Sequence, residues 1–319
     1  MRIVVTGAAG FVGSNLVKAL LEQGNTVIGI DNFYTGRRIN LEDIETNPLF
    51  SFVEADVAKP LQIEGHVDRI YHLACPASPP HYQRDMVQTL LTGTHGTYNM
   101  LVMAEEKKAR ILYTSTSEIY GDPTVHPQPE SYWGNVNTLG PRSCYDEGKR
   151  VGESYCYAFA NQRGVQVRIA RIFNTFGPRM DPADGRVVSN FILAALRDEP
   201  MLIYGDGNQT RSFMYIDDLI RGLLLLMESD NYMCAVPVNL GNPQEYSIQV
   251  WAEIIGTIVV ANGGSIKEPV PITHIDASTD DPKQRKPDIR RAKELLGWEP
   301  IVPVLDGVQK TIEYFRKYR

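Results

Sequence analysis

The segment Cys144-Tyr145-Asp146-Glu147-Gly148-Lys149 sets a phenol four residues before an ammonium. On a helix that spacing is about one turn, so both groups project from one face. A phenol with a pKa of ~10 is a poor base at neutral pH, and bringing it to ~7 takes roughly 4 kcal/mol of differential stabilisation. A cation one turn away works in that direction. The pair therefore reads as a candidate general base, Tyr145, with Lys149 as its electrostatic support. The same spacing also occurs on solvated helix faces, so the reading depends on what else the chain carries.

The N-terminus carries a partner for that chemistry. Arg2-Ile3-Val4-Val5-Thr6 is a short apolar run, expected to be a buried strand. Gly7-Ala8-Ala9-Gly10-Phe11-Val12-Gly13 follows at once, and then a helical apolar pattern through Leu16, Leu20 and Leu21 to Gly24. Strand, glycine turn and helix in this order suit a dinucleotide. Gly7 permits the tight turn, Gly10 lets a pyrophosphate reach backbone N–H groups at the helix start, and Gly13 lets helix and strand pack closely. The spacing is Gly-x-x-Gly-x-x-Gly rather than the commoner Gly-x-Gly-x-x-Gly. The next strand, from Thr26 to Ile30, ends at Asp31, whose carboxylate can accept a hydrogen bond from a ribose 2′-hydroxyl. Arg37 and Arg38 could serve a 2′-phosphate, but Asp31 would repel one, so NAD is expected over NADP. Its oxidised nicotinamide would add positive charge to that of Lys149 in favouring phenolate.

These groups need a scaffold, and 319 residues suit one large α/β unit or two domains sharing a cleft. The first half alternates apolar runs with helical patterns, which implies a doubly wound parallel sheet with helices on both faces. Expected strands after the first two are Leu49–Glu54, Arg69–Ala74, Arg110–Thr116 and Gln166–Phe173. Helices are expected within His81–Lys107 and over Tyr145–Arg163, where Val151, Tyr155, Ala158 and Phe159 form an apolar stripe and Gly164 is a fitting stop. Beyond Asn174 the alternation loosens into shorter elements at Val187–Leu196, Asp218–Met227, Ile248–Val260 and Val304–Lys317. The expected division is a NAD-binding part, residues 1–173, and a smaller substrate lobe, residues 174–319. The two interleave, because Val236–Leu240 reads as a strand returning to the sheet.

Composition narrows the class. With 43% hydrophobic and 22% charged residues the chain is an ordinary globular one, and its net charge of −6 argues against general nucleic-acid binding. Cys75, Cys144, Cys156 and Cys234 show neither metal-ligand nor disulfide spacing and read as reduced thiols. His72, His81 and His126 match no metal motif. Met1 leads almost directly into the first strand, and no apolar run approaches the ~20 residues of a membrane helix. A cytoplasmic protein without a membrane span is expected.

Longer blocks carry a resemblance. They include His72-Leu73-Ala74-Cys75-Pro76-Ala77-Ser78-Pro79, Ser115-Thr116-Ser117-Glu118-Ile119-Tyr120-Gly121-Asp122-Pro123 and Gly140-Pro141-Arg142-Ser143-Cys144-Tyr145-Asp146-Glu147-Gly148-Lys149-Arg150. Ala170-Arg171-Ile172-Phe173-Asn174-Thr175-Phe176-Gly177-Pro178-Arg179-Met180, Asp184-Gly185-Arg186-Val187-Val188-Ser189-Asn190 and Arg285-Lys286-Pro287-Asp288-Ile289 continue it. From the first strand to near Tyr314 the chain resembles the extended short-chain dehydrogenase/reductases, and within them the branch that decarboxylates UDP-glucuronate to UDP-xylose. That resemblance implies a bound, recycled NAD and a 4-keto intermediate. It implies Tyr145 as the base, Lys149 holding phenolate and nicotinamide ribose, and Thr116 donating to the C4 oxygen. Glu118 is implied to position substrate or move a proton at C5, with Ser117 beside it. The 4,6-dehydratase relatives carry Thr-Asp-Glu at this turn, and Ser117 here removes their elimination acid.

The resemblance adds cofactor contacts from Asn32, Phe33, Thr35, Gly36, Asp56, Val57, Leu73, Ala74 and Thr175 to those of Gly7, Gly10, Phe11, Val12 and Asp31. It also implies substrate contacts from Asn174, Arg186, Val188, Tyr204, Arg211 and Arg285, the two last suited to diphosphate or carboxylate. A homodimer built on the Tyr145 helix and the one before it is implied as well. The chain departs from the family pattern at Gln83–Gly93, with Leu91 where lysine is common and Gly93 where asparagine is. Two other functions remain open on sequence: a nucleotide-sugar epimerase or 4,6-dehydratase, and a non-catalytic NAD-binding regulator. The last would be expected to lose Tyr145, Lys149 or Thr116.

Overall fold

A computed structural model describes residues 1–230, 234–264, 268–276 and 284–319. In chain order its first half runs β1 (Arg2–Thr6), α1 (Phe11–Glu22), β2 (Thr26–Asp31), β3 (Phe50–Glu54) and β4 (Arg69–His72). Then come α2 (Pro79–Tyr82), α3 (Met86–Leu91), α4 (Thr97–Lys107), β5 (Arg110–Thr116), α5 (Ser143–Arg163) and β6 (Val167–Ile172). These strands are short apolar runs because both faces of a parallel sheet are covered. Val4, Val5, Ile30, Ile70, Ile111, Leu112 and Val167 are fully buried.

The second half begins with β7 (Thr175–Phe176), α6 (Val187–Leu196), β8 (Met201–Tyr204), β9 (Thr210–Ser212), β10 (Met214–Tyr215) and α7 (Ile216–Glu228). It ends with β11 (Pro237–Leu240), β12 (Glu245–Ser247), α8 (Ile248–Ala261), β13 (Ile272–Ile275), β14 (Gln284–Arg285), α9 (Arg290–Leu296) and α10 (Val304–Phe315). Seven parallel strands form one sheet in the order β11-β6-β5-β4-β1-β2-β3. The order reverses between β1 and β4, and at such a switch point the carboxyl ends of open α/β strands leave a crevice for ligands. Strand β11 pairs with β6 over Val238↔Ala170 to Leu240↔Ile172, so the second half does return to the sheet at 237–240. Small pairings, β7 with β10, β8 with β13 and β12-β9-β14, build the lobe above the crevice.

The helices expected within 81–107 are present as α3 and α4, joined through a π-helical turn at Thr92–Gly96. One expectation changes. The buried face of α5 is not the stripe read from its apolar residues. Tyr145, Gly148, Lys149, Gly152, Cys156 and Phe159 are buried, whereas Val151 is 37% exposed. The helix approaches the sheet through Gly152, which lies against the Tyr113 hydroxyl, and this leaves a row that includes Val151 and Tyr157 outside.

Candidate active site

The crevice opens into a cavity of about 550 Å³ that runs from the β1–α1 turn, over the ends of β4 and β5, to β9 and β14. Its floor at the first turn follows from two glycines. Gly7 has φ +70°, and a Cβ on Gly13 would stand 1.9 Å from the Gly7 carbonyl oxygen. Helix α1 starts without a side-chain cap, so the N–H groups of its first turn, at Phe11 and Val12 on the cavity wall, are left for an anion.

At the end of β2 the Asp31 carboxylate accepts from the Ala9 N–H at 2.9 Å and the Phe33 N–H at 2.8 Å. Burial raises its pKa, and these backbone N–H groups pull against that. Asn32, Thr35, Asp56 and Val57 share this end of the cavity, and Leu73, Ala74 and Thr175 line its middle. Two expected contacts do not line it. Phe33 packs on Phe52 with ring centroids 5.2 Å apart and lies under Arg38. Gly36 stands behind Asp31, where a Cβ would come within 2.6 Å of Oδ1, so its part is to leave Asp31 room. Arg37 is engaged by Tyr318 and Asp181, and Arg38 by Glu45 and Glu54. Arg38 stays off the cavity wall, whereas Arg37 lines it.

At the departure in Gln83–Gly93, Leu91 is outside the cavity and Gly93 packs on Gly148 of α5. Gln88 and Thr92 line the wall instead. The Gln88 amide donates to Asp56 Oδ2 at 3.0 Å, and the Thr92 hydroxyl donates back to the Gln88 carbonyl at 2.8 Å. Neither was picked out from the sequence, although both lie on the helix start where lysine and asparagine were missed.

The reactive groups meet where β5 ends against α5. Thr116 caps the 3₁₀ turn Ser117–Tyr120, its hydroxyl accepting from the Glu118 N–H at 3.2 Å. Tyr145 is buried, stacks on Tyr82 at 5.2 Å between ring centroids, and shares the cavity wall with Thr116. Lys149 Nζ donates to the Thr114 carbonyl at 2.7 Å and lies 6.0 Å from the Tyr145 ring centroid. Lys149 is the chain's own share of the positive charge expected to favour phenolate, an oxidised nicotinamide being the other. Burial first, then Glu118 and Cys75, push the phenol well above its ordinary value, against a smaller lowering effect of Thr116. Burial also lowers the Lys149 ammonium. The chain holds Tyr145 as a phenol, so phenolate requires a further positive charge beside it.

Glu118 is the centre of a charged cluster. Arg142 NH2 reaches its Oε2 at 2.5 Å, and Arg285 NH1 reaches its Oε1 at 3.4 Å. Burial works to raise this carboxyl, but Arg142 and Arg285 outweigh it and hold Glu118 below the ordinary glutamate range. Asp146, next to the base, goes the other way. Burial and then the Glu118 charge raise it to about 8, against Arg142 and Arg285. Asp146, Arg142 and Tyr82 were not singled out as functional in the sequence, though the first two stand in the quoted Gly140–Arg150 block. Strand pairing sets Arg285 opposite Arg211, so two guanidiniums come from neighbouring strands at the substrate end. Ser117, Asn174, Arg186, Val188 and Tyr204 complete that end, with Arg186 Nε held by Asp184 at 2.6 Å.

Residues 3–241 match the family described as the NAD dependent epimerase/dehydratase family. The chain belongs to this family. Within the NAD dependent epimerase/dehydratase family it is 56% identical, over 99% of its length and 72% of the relative's, to UDP-glucuronic acid decarboxylase 1 of Xenopus tropicalis. Among solved structures it is similar to a UDP-glucose 4-epimerase with UDP-glucose from Thermotoga maritima, at TM-score 0.87 and 30% identity, covering 100% and 99% of the two chains. It is also similar to a UDP-glucuronic acid 4-epimerase from Bacillus cereus in complex with UDP-glucuronic acid and NAD, at TM-score 0.86 and 29% identity over 100% of both chains. The family's NAD fits the residues present: an uncapped helix start faces the cavity, and a buried Asp31 closes its far end. Among the described residues no helix is long and apolar enough to cross a membrane.

Proposed function

We propose that the protein decarboxylates UDP-glucuronate to UDP-xylose through a 4-keto intermediate, with NAD bound throughout and no net redox change. A sugar carboxylate cannot leave as CO2 unless the electron pair left on C5 is delocalised. A ketone at C4 places the carboxylate β to a carbonyl, so loss of CO2 gives an enolate. NAD, when bound, supplies the acceptor and later the donor for the C4 hydrogen, and its oxidised ring adds the positive charge that Tyr145 needs.

Gly7, Gly10, Phe11 and Val12 would hold its pyrophosphate and Asp31 its ribose, with Asn32, Thr35, Asp56 and Val57 around that end and Leu73, Ala74, Lys149 and Thr175 toward the other. Tyr145 takes the C4 hydroxyl proton and, again a phenol, hydrogen-bonds the enolate oxygen together with Thr116. Asn174, Arg186, Val188, Tyr204 and Arg211 would receive the UDP part. Arg285 faces both the sugar carboxylate and Glu118. A guanidinium already shared with Glu118 holds the substrate carboxylate less tightly, which matters because binding lost when CO2 departs would raise the barrier.

The observation that carries the reading is the turn at the end of β5. Thr116 caps that turn with Tyr145 beside it on the cavity wall, position 117 is a serine, and Glu118 is clamped ionised between Arg142 and Arg285. An elimination needs an acid at position 117, and a 4-epimerase has no use for a proton carrier at C5. Four free cysteines, two of them buried, suit a reducing compartment such as the cytoplasm. Incubation with UDP-glucuronate and NAD should release CO2 and form UDP-xylose, read by NMR. Formation of UDP-galacturonate without CO2 would instead establish a 4-epimerase.

A further inference from the structure

Behind the catalytic turn lies a second cavity, of about 230 Å³. Glu118, Arg142 and Arg285 line both cavities and so form the wall between them. Asp146 lines only the second. The rim residues Asp122, Asn135 and Asn137 are exposed, which connects this space to solvent. Three buried polar atoms around the wall have no protein partner: Asp146 Oδ1, Arg285 Nε and the Tyr82 hydroxyl. Arg142 and Arg285 outweigh burial and hold Glu118 low, while burial and the Glu118 charge raise Asp146 to about 8, so the proton of the pair rests on Asp146. The charged and titratable groups facing Asp146 are Glu118 on the 3₁₀ turn, Arg142 before α5, Arg285 on β14 and the phenols of Tyr82 and Tyr145.

We propose that Asp146 is the proton reservoir for C5: it reloads Glu118 across the wall and is itself reloaded from solvent through the second cavity. This rests on the decarboxylase reading above. Decarboxylation consumes one proton from outside, because a carboxylate leaves as neutral CO2 and C5 gains a C–H bond. The C5–C6 bond breaks and its electron pair enters the enolate. The Asp146 proton moves to the Glu118 carboxylate, the Asp146 O–H bond breaking as the Glu118 O–H bond forms; the enolate pair then takes that proton to form the C5–H bond, and Glu118 is again ionised. Asp146 is left ionised until solvent returns a proton.

Charge provides the timing. With Asp146 neutral, two guanidiniums and one carboxylate carry a net +1, which suits a bound sugar carboxylate. When CO2 departs, the negative charge moves from the carboxylate to the enolate oxygen at C4, away from the two guanidiniums, and their less compensated positive charge favours ionisation of Asp146 at the step that needs the proton. Asp146 acts through Glu118 and is a positioning residue in this scheme, not one that touches the sugar.

The test uses the NAD-loaded enzyme in a single turnover with UDP-glucuronate, following CO2, NADH absorbance and UDP-xylose separately. The wild type tests the underlying reading: no CO2 from it overturns the decarboxylase assignment itself. For Asp146→Asn, CO2 release should stay within about twofold of wild type while UDP-xylose formation falls about 10²- to 10⁴-fold and NADH persists, the range general acid–base groups contribute. The wild-type kcat should also fall as pH rises through about 8, and that limb should vanish in the variant. A uniform drop in all three signals, or a retained basic limb, overturns the proposal. Val136 lines the second cavity and not the first, so Val136→Phe fills the second while leaving both carboxyl groups in the chain. It should produce the same split between CO2 and UDP-xylose, and an unsplit wild-type course overturns the proposal even if Asp146→Asn does not fold.

Discussion

Tyr145 sits at the balance of two opposed requirements. Its ring must be buried and stacked on Tyr82 to hold one orientation, yet burial is what pushes its phenol up. Lys149, tied to the Thr114 carbonyl, supplies position and charge but does not by itself reverse that push. Removing the hydroxyl alone separates the two parts. Tyr145→Phe should keep the stack and NAD affinity, measured by fluorescence titration, while kcat falls by about 10²- to 10⁴-fold; turnover at the wild-type rate would assign the base elsewhere. The Tyr145–Lys149 pair was legible because its spacing is local and helical, and Asp31 because it ends an apolar run after a glycine turn. The proton state of the Glu118 cluster was not legible. Glu118, Arg142, Asp146 and Arg285 come together from a turn, a loop, a helix and a distant strand, and their charges are set only by that meeting. Phe33 and Gly36 were placed in the site by family pattern, and the structure turns one into packing and the other into clearance for Asp31.

The elements hold these groups through polar side chains at strand ends. His72, the last residue of β4, hydrogen-bonds through Nδ1 with Thr6 of β1 at 2.8 Å and through Nε2 with Thr97 of α4 at 3.3 Å. Burial, then the Lys149 charge, lower its pKa from 6.5 to about 3. Between those two values the unfolded chain binds a proton that the folded one does not, so stability rises with pH across this window and is lost as pH falls through it. Asp146 acts with the opposite sign. Its pKa is raised from 3.8 to about 8, so the folded chain holds the extra proton and stability falls as pH rises across that range. Urea midpoints from pH 4 to 8 should therefore show a flatter acid limb in His72→Gln and a flatter neutral limb in Asp146→Asn; parallel curves for wild type and both variants would remove these groups from the linkage. The long strands and helices were legible from apolar runs and helical periodicity, β1 and β5 with the ends observed. The lobe's two- and three-residue strands were not, because each forms only by pairing with a distant segment, as Arg285 does with Arg211.

At the scale of the molecule, α3, α4 and α5 carry apolar side chains on the outside: Val87 is 70% exposed and Tyr157 64%, with Leu90, Tyr98 and Val151 also open. Such a row on neighbouring helices suits a second copy of the chain. Light scattering should give a dimer for the wild type and a monomer for Val87→Glu/Tyr157→Glu, and a monomeric wild type would retire the dimer. The same scale decides how separable the two halves are. A division at residue 173 leaves β11 on the far side, yet β11 is a strand of the main sheet beside β6. Asn239 on β11 accepts from the Tyr120 hydroxyl at 2.8 Å and takes the Glu130 carboxylate on its N–H at 2.9 Å. Tyr120 in turn accepts from Arg171, whose guanidinium is forked onto Glu153 of α5 at 2.9 and 2.7 Å. Cutting after 173 keeps the buried Arg171–Glu153 pair but removes the cover and the hydrogen-bond partners around it, which leaves polar groups without the partners their burial requires. A fragment of residues 1–173 should therefore show no cooperative thermal transition by circular dichroism, while the full chain does. A fragment that melts cooperatively and binds NAD would show that the dinucleotide half stands alone and that β11 only decorates its edge.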